Sequence, residues 1–392
     1  MNTNDHAIDI IVPIYDGFVE VKACLESIFA SNFDQAIELV VIWDCGPDPK
    51  LYDYFLQLSQ EKGFTFLENP KNVGFVQTVN RGMRLHPERD VLLLNSDTVV
   101  ANNWLDRMLA CAHSDSRIAT VTPFSNNAEI CSFPEICKAN ELPAEWTVPA
   151  LDALFAQNVT PAAIDIPTAV GFCMFIRRSA LVQLGDFDEA TFARGYGEEN
   201  DFCRRAAAQG YRNVHCSNVF VSHVGGVSFG TEKLTRVAHA MRILDERYPD
   251  YHGLVHEHIK SDPARSYRIQ AALAMLRATE KPIVLILTHN LGGGTERYVA
   301  DLQKYLSDKL QFLVVRPITD RILEMCLPWQ GLRLYFDLTA GVQSLAKMCQ
   351  QIGVSRLHIQ HIMGMEASIK SLIDSLALPF DITLHDYFFI NG

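Results

Sequence analysis

The sequence predicts an α/β protein, with a mostly parallel sheet flanked by helices followed by a second, incomplete unit of the same kind. Three observations predict it. Short, nearly continuous apolar runs occur at 8–15 (IDIIVPIY), 37–44 (IELVVIWD) and 91–94 (VLLL), as in strands buried on both faces. Each run closes on a turn signal: Asp16-Gly17, Cys45-Gly46-Pro47 or Asn95-Ser96-Asp97. Segments with helical spacing lie between the runs, and the alternation restarts after Lys281.

The elements follow in order. After the first strand, Val21, Leu25, Ile28 and Phe29 recur at helical spacing. A helix from Pro49 to Lys62 and a short strand, FTFLEN, follow the second. The stretch 123–167 is rich in Pro, Asn, Ala and Glu and poorly periodic, which predicts a long irregular insertion. TAVGFCMFIRR (168–178) then predicts a strand, and SALVQLG a short helix ended by Gly185. A helix over Glu199 to Gln209 stops at Gly210, a residue able to take a left-handed C-terminal conformation. VHCSNVFVSH predicts a strand, and Lys233 to Tyr248 a helix stopped by Pro249. The stretch 251–280 predicts a polar, then helical linker. PIVLILTH, the glycines 292–294 and a helix carrying Val299, Leu302 and Leu306 open the second unit. QFLVVRP, LRLYFD, RLHIQH and FDITLHD are its further strands, and it ends at Asn391-Gly392, just after a strand, as either an acceptor-binding module or the leading piece of a longer two-enzyme polypeptide. The expected divisions are 1–250, 251–280 and 281–392.

Bulk properties narrow the function. A net charge of -12 over 392 residues excludes a nucleic-acid backbone as partner, because that needs surplus Lys and Arg. No run approaches the ~18–20 apolar residues of a membrane span. The N-terminus MNTNDHAIDI lacks the basic and apolar regions of a secretory signal. Ten scattered cysteines without a C-x-x-C pair predict reduced thiols and a cytoplasmic location.

In an open parallel sheet, ligands sit beyond the carboxyl ends of the strands. Asp44 ends the second strand, where its carboxylate can accept a pyrimidine ring N–H or simply form a turn. Asn95-Ser96-Asp97 is either a generic loop or, through Asp97, a hard oxygen ligand for Mg2+ or Mn2+. Glu198, Glu199 and Asp201 crowd a helix start behind Gly195 and Gly197, and capping explains one such acid comfortably but three poorly. His223 opens HVGGVSFG, where Gly225, Gly226 and Gly230 suit a flexible loop over a ligand and the imidazole can join a metal shell. A satisfied structural histidine is the commoner alternative.

Together these segments resemble the family-two glycosyltransferases of the GT-A fold, rhamnosyltransferase-like members included, over roughly residues 8–250. IIVPIYDG resembles the opening strand and base-framing loop, with Pro13, Tyr15 and Asp16. VVIWDCGPD resembles the second strand, with Asp44 on the base. ENPKNVGFVQTVNRGM resembles the Asn-x-Gly segment under the donor, with Asn72, Gly74, Asn80 and Gly82. LLLNSDTVV resembles the DxD motif (Asn95, Ser96, Asp97), and EENDFCRRA the acidic motif of the general base. Gly171 is assigned to the donor pocket with them. Three departures stand out: Asn95 replaces the first acid of DxD, Glu199 stands where Asp is commoner, and Val79 replaces an Arg beside Asn80. Residues 281–392, through THNLGGGTERYVADL, resemble the N-terminal half of a family-four, GT-B-type glycosyltransferase.

The resemblance implies a GT-A-type Rossmann-like domain followed by a partial Rossmann-like one. The implied activity is inverting transfer of a sugar from a UDP- or dTDP-linked donor to an acceptor hydroxyl, in cell-surface polysaccharide or glycan synthesis. Glu199 is then the base, with Glu198 beside it. Asp201 orients the helix start or contacts the acceptor, and the insertion lies nearby. Asp97 and His223 hold a divalent cation, Mn2+ or Mg2+. The acceptor is a glycan or lipid-linked glycan, met in the cytoplasm or at the inner face of the cell membrane by peripheral association. The rival reading is a non-catalytic sugar-nucleotide or glycan-binding module within a multi-domain glycosyltransferase. A nucleotidyltransferase is disfavoured, because VPIYDGFVE has no basic, glycine-rich loop.

Overall fold

The computed structural model describes residues 8–142, 145–192, 195–225, 233–329 and 331–385. Two compact units divide the chain, one through Tyr267 and one from Arg268 onward.

The first unit opens with β1 (Ile8–Ile14), α1 (Phe18–Phe29), β2 (Ile37–Trp43), α2 (Pro49–Lys62) and β3 (Thr65–Glu68). Local chemistry sets the limits of α2: Asp48 accepts the Lys50 N–H at 2.9 Å, Pro49 fills the first turn, and Gly63 closes it at φ +74. Removing such a cap costs ~1 kcal/mol. Next come α3 (Phe75–Met83), β4 (Asp90–Leu94), β5 (Thr98–Val99), α4 (Trp104–His113) and β6 (Ile118–Phe124). The unit continues through α5 (Val148–Asn158), β7 (Ala163–Asp165), β8 (Cys173–Ile176), α6 (Arg178–Leu184), α7 (Glu189–Phe192) and α8 (Glu198–Ala208). It ends with β9 (Arg212–Phe220), β10 (Ser222–His223), α9 (Lys233–Arg247) and α10 (Tyr251–Ser261).

Eight strands form one sheet in the order β3-β2-β1-β4-β8-β6-β9-β7. β8 runs antiparallel to β4 and β6, and β7 antiparallel to β9. The other pairs are parallel. Alternate β1 residues feed two cores: Ile10, Val12 and Ile14 pack with α1, α2 and α4, whereas Ile11 packs with α3, α6 and α8. Burial on both faces explains the nearly continuous apolar runs. β1 has β2 on one side and β4 on the other, so the loops after β1 and β4 diverge and open a crevice at their carboxyl ends.

Three expectations need correction here. The stretch 123–167 is not irregular throughout. Leu151, Leu154 and Phe155 form an i, i+3, i+4 face that buries α5, and Asp152 pins it by accepting from Arg107 Nη2 (2.5 Å) and the Phe220 N–H (3.1 Å). Only Cys173–Ile176 of TAVGFCMFIRR is strand. The Ala169 N–H is taken by Cys203 Sγ and the Val170 N–H by Thr122 Oγ1, so this stretch bends across the rim. β6 was not anticipated, because Thr120 and Thr122 interrupt its apolar pattern. Both are fully buried, and Thr120 Oγ1 bonds Asn213 Oδ1 at 2.9 Å.

α11 (Arg265–Ala278) leads into the second unit. There follow β11 (Ile283–Leu287), α12 (Gly294–Leu306), β12 (Gln311–Pro317), β13 (Ile322–Cys326) and β14 (Arg333–Asp337). α13 (Gln343–Ile352), β15 (Val354–Ile359), α14 (Glu366–Leu376) and β16 (Phe380–Ile382) complete it. The strand order is β14-β13-β12-β11-β15-β16. The expectation of a parallel unit holds only for β12-β11-β15-β16, because β12-β13-β14 is an antiparallel meander. Thr319 makes the first reversal: its Oγ1 accepts the Arg321 and Ile322 N–H groups at 3.2 and 3.1 Å.

Candidate functional site

The loops after β1, β2 and β4 are drawn together at the carboxyl rim of the first sheet. Tyr15 and Asp16 lie exposed at its mouth, Asp16 Oδ1 accepts the Gly17 N–H at 2.7 Å, and Pro13 is half-buried in β1. A Cβ at Gly46 would stand 1.7 Å from the Tyr15 carbonyl oxygen, so only glycine lets the first two loops meet. Asp44 is buried and accepts from Asn69 Nδ2 (2.9 Å), Val73 N–H (2.9 Å) and Gly74 N–H (2.8 Å). Its carboxylate therefore shapes the loop ahead of α3, where Asn72 is half-buried.

Asn80 departs from its expected place under the donor. It is fully buried, donating to Phe187 O and Glu189 Oε2 and accepting the Phe187 N–H. It ties α3 to the link between α6 and α7 and is closed to a ligand. Gly171 has no heavy atom within 4 Å of a Cβ built on it, which leaves open space at its face of the rim. The Asn95 backbone joins this segment to β4, its N–H donating to Phe172 O at 2.8 Å. Ser96 is half-buried in the loop that carries Asp97.

Asp97 and His223, far apart in sequence, are brought into contact. β5 and β10 pair antiparallel with Thr98 opposite His223. Asp97 Oδ1 lies 3.4 Å from His223 Nε2, and Oδ2 accepts the Gly225 N–H at 3.0 Å. His223 Nδ1 donates to the Asn127 carbonyl at 2.7 Å, and its ring stacks on Phe172 at 5.1 Å and 21°. Burial works to raise the Asp97 carboxyl, but the hydrogen bond and charge of His223 and the Gly225 N–H outweigh it and hold Asp97 below the usual range. With Nδ1 committed to a carbonyl, Nε2 faces a carboxylate oxygen. Such an arrangement is completed by a proton or a cation, and two cis ligands of one octahedral ion stand roughly 3 Å apart. The donor set fits a divalent cation. Gly226 and Gly230, expected in the covering loop, lie outside the described residues.

The helix start at α8 is strained. Gly195, Tyr196 and Gly197 have φ values of +107°, +71° and +92°. A Cβ at Gly197 would stand 2.8 Å from Phe192, so this approach also requires glycine. Of the three acids, Asp201 is spent on structure. Its Oδ1 accepts from Arg247 Nη1 (2.9 Å) and Tyr248 OH (2.8 Å), and its Oδ2 from Arg205 Nε (2.8 Å). At 1% exposure its carboxylate is committed to holding α8 against α9.

Glu198 is buried, while Glu199 keeps partial access to solvent. Burial, then the charge of Glu199, pushes the Glu198 carboxyl well above its usual range. Burial also raises the Glu199 carboxyl above its usual range, but less far, because backbone N–H groups at the helix start and a hydrogen bond with Glu198 counter part of it. Glu198, the more deeply buried and more strongly raised of the two, is therefore the harder carboxyl of the pair to ionise. An acid whose folded pKa is raised binds more protons folded than unfolded, so stability falls as pH rises above the unfolded glutamate value. Glu198→Gln is expected to melt higher than the native protein near pH 8, by ~2–4 °C per kcal/mol recovered, with the difference vanishing towards pH 4. Equal melting temperatures at both pH values would show that Glu198 is not held protonated.

The segment 168–172 joins the acid pair to Asp97 and His223. Asn200 Nδ2 donates to Thr168 Oγ1 at 2.7 Å, and Phe172 stacks on His223. Four residues span at most about 14 Å. Gly195 packs beside Phe75 at the start of α3, so the acid pair also adjoins the loop that Asp44 shapes. Burial, then the Glu199 charge, lifts the hydroxyl of the buried Tyr251. Phe172, Thr168, Tyr251 and the Asn126-Asn127 pair were not anticipated from sequence. Ser125-Asn126-Asn127 carries the same signal as Asn95-Ser96-Asp97, a polar triplet after a buried strand, but the signal is legible only once β6 is recognised as that strand.

A second acidic group, Asp9, Glu38 and His86, gathers at the opposite, amino end of β1 and β2. Its centre is already filled by a cation: Arg89 Nη1 lies 3.1 Å from Asp9 Oδ1 and 2.6 Å from Glu38 Oε2, and His86 Nδ1 lies 2.8 Å from Asp9 Oδ2. This is an ion network neutralising a fully buried Asp9. Arg89→Met is expected to destabilise the first unit by about 3 kcal/mol in urea titration, with no restoration by Mn2+. Restoration by Mn2+ would make the cluster a metal site.

Residues 9–185 match the family model Glycosyl transferase family 2. The span contains Asp44, Asn80 and Asp97; Glu198, Glu199 and His223 lie beyond it. No curated protein matches the chain significantly. Among solved structures, GalNAc-T7 with UDP, GalNAc and Mn2+ is similar at 13% identity and a TM-score of 0.46, covering 86% of this chain and 68% of that one. The mannosyltransferase PcManGT from Pyrobaculum calidifontis, in complex with GDP-Man and Mn2+, is similar at 18% identity and a TM-score of 0.43, covering 76% and 80%.

Proposed function

We propose that this chain, whose residues 9–185 form a glycosyl transferase family 2 domain, is an inverting, metal-dependent glycosyltransferase. It moves a sugar from a UDP- or dTDP-linked donor to a hydroxyl of a glycan or lipid-linked glycan. One observation carries the reading: the facing electron-pair donors of Asp97 and His223 share a rim with the Glu198–Glu199 pair, joined through residues 168–172.

Glu199 takes the acceptor hydroxyl proton as that oxygen attacks the anomeric carbon and the bond to the departing diphosphate breaks. Glu198 keeps its own proton, which leaves Glu199 as the anion of the pair. Asp97 and His223 are the residues that would hold Mn2+ or Mg2+, which supplies positive charge to the leaving diphosphate. Tyr15, Asp16 and the loop shaped by Asp44 frame the base. The second unit is read as an acceptor-binding module resembling a family-four N-terminal half. Its support is the loop Gly292-Gly293, at φ +74° and +82°, which opens the 13-residue helix α12. Among the described residues, no helix is long and apolar enough to cross a membrane. Any work at the inner membrane face is proposed to use peripheral contact.

The test is a panel of nucleotide sugars, followed by nucleoside diphosphate release with Mn2+ and with excess EDTA. Metal-dependent release from one donor supports the transferase. Asn95 in place of a first acid favours the second reading, a binding module, and donor binding with no release under any condition would establish it.

A further inference from the structure

The polar turn after β6 grips His223 from behind. Asn126 pairs with its backbone as a neighbouring peptide would: Oδ1 accepts the His223 N–H at 2.9 Å, and Nδ2 donates to the His223 carbonyl at 3.0 Å. Oδ1 is also within 3.3 Å of Ser222 Oγ. Asn127 takes the ring through its backbone carbonyl, 2.7 Å from Nδ1, and holds the next residue by donating Nδ2 to the Val224 carbonyl at 3.2 Å. A Cβ at Gly225 would stand 2.3 Å from Asn127 Nδ2, so glycine at φ +74 is required for this grip.

These bonds fix the depth of the His223 backbone, the rotation of its ring, and the nitrogen that keeps its lone pair. Strand pairing of β10 with β5 needs none of them. We infer that Asn126 and Asn127 are positioning residues that preset His223 Nε2 against Asp97 for a divalent cation, an inference that rests on the metal-dependent reading above. Outer partners of a ligating histidine determine its orientation and basicity, and losing one typically weakens metal binding ~10–100-fold.

The test is Mn2+ titration of the full chain, with free Mn2+ followed by electron paramagnetic resonance, and melting curves without metal to establish folding. Asn126→Ala is expected to weaken Mn2+ binding ~10–100-fold. In a His223→Ala background the same change should add nothing, because no imidazole is left to position. Asn127→Ala, which keeps the Asn126 pair, should weaken binding by on the order of 10-fold and serves if Asn126→Ala does not fold. Native Mn2+ affinity in both asparagine variants, with affinity lost in His223→Ala, would overturn the inference. So would an equal loss from Asn126→Ala with and without His223. Native affinity in both His223→Ala and Asp97→Asn would instead overturn the metal reading beneath it.

Discussion

Glu199→Gln is expected to bind donor as the native protein does and to lower kcat for transfer by ~10²–10⁴-fold, the usual contribution of a positioned general base. The amide keeps the shape and polarity of the side chain at the start of α8, so the helix terminus and the Asn200–Thr168 bond persist. What it loses is the basic carboxylate that receives the acceptor proton. KM for donor should stay within about twofold, because the lost interaction exists only in the transition state. Single-turnover kinetics with saturating donor reads the chemical step directly. Transfer at the native rate would remove Glu199 from the role of base; Glu198 is a poor substitute, because it is buried and its carboxyl is pushed up.

Asp97→Asn carries the second large effect. One side-chain oxygen can still accept the Gly225 N–H, so the β5–β10 corner is retained while the charge is lost. Because Asn95 already stands where a second acid would be, this loop then has no carboxylate to offer a cation. Mn2+ affinity is expected to fall at least ~10-fold and kcat/KM on the order of 10²–10³-fold, in line with the several kcal/mol a bound cation supplies to a leaving group. The measurement is a transfer assay across Mn2+ concentrations. A native rate that persists in excess EDTA would end the metal assignment for both Asp97 and His223.

Much of the first unit was legible because its signals are local. α2 is bounded by Asp48, Pro49 and Gly63, all beside the helix they limit. β1, β2 and β4 announce themselves by apolar runs, since a central parallel strand is buried on both faces. β6 was not legible, because its buried threonines find partners far along the chain: Thr120 bonds Asn213, 93 positions away, and Thr122 accepts the Val170 N–H, 48 away. β13 escaped for a related reason: Glu324 interrupts ILEMC, and its charge is met by Arg333 on the neighbouring β14.

The candidate site divides along the same line. From sequence alone came the carboxyl-end positions of Asp44 and Asp97, the acid-rich helix start at Glu198–Asp201, and a histidine after a strand. Tertiary structure alone decided which of these polar groups are spent and which remain open. Asp201 is consumed by Arg247 and Tyr248, 46 and 47 residues on, and Asn80 by Phe187, 107 residues on. Asp97 instead meets His223 and keeps a second electron-pair donor in front of it. A carboxylate's residue type and local helix position are written in its neighbours in the chain. Its remaining lone pairs depend on what folding buries against it.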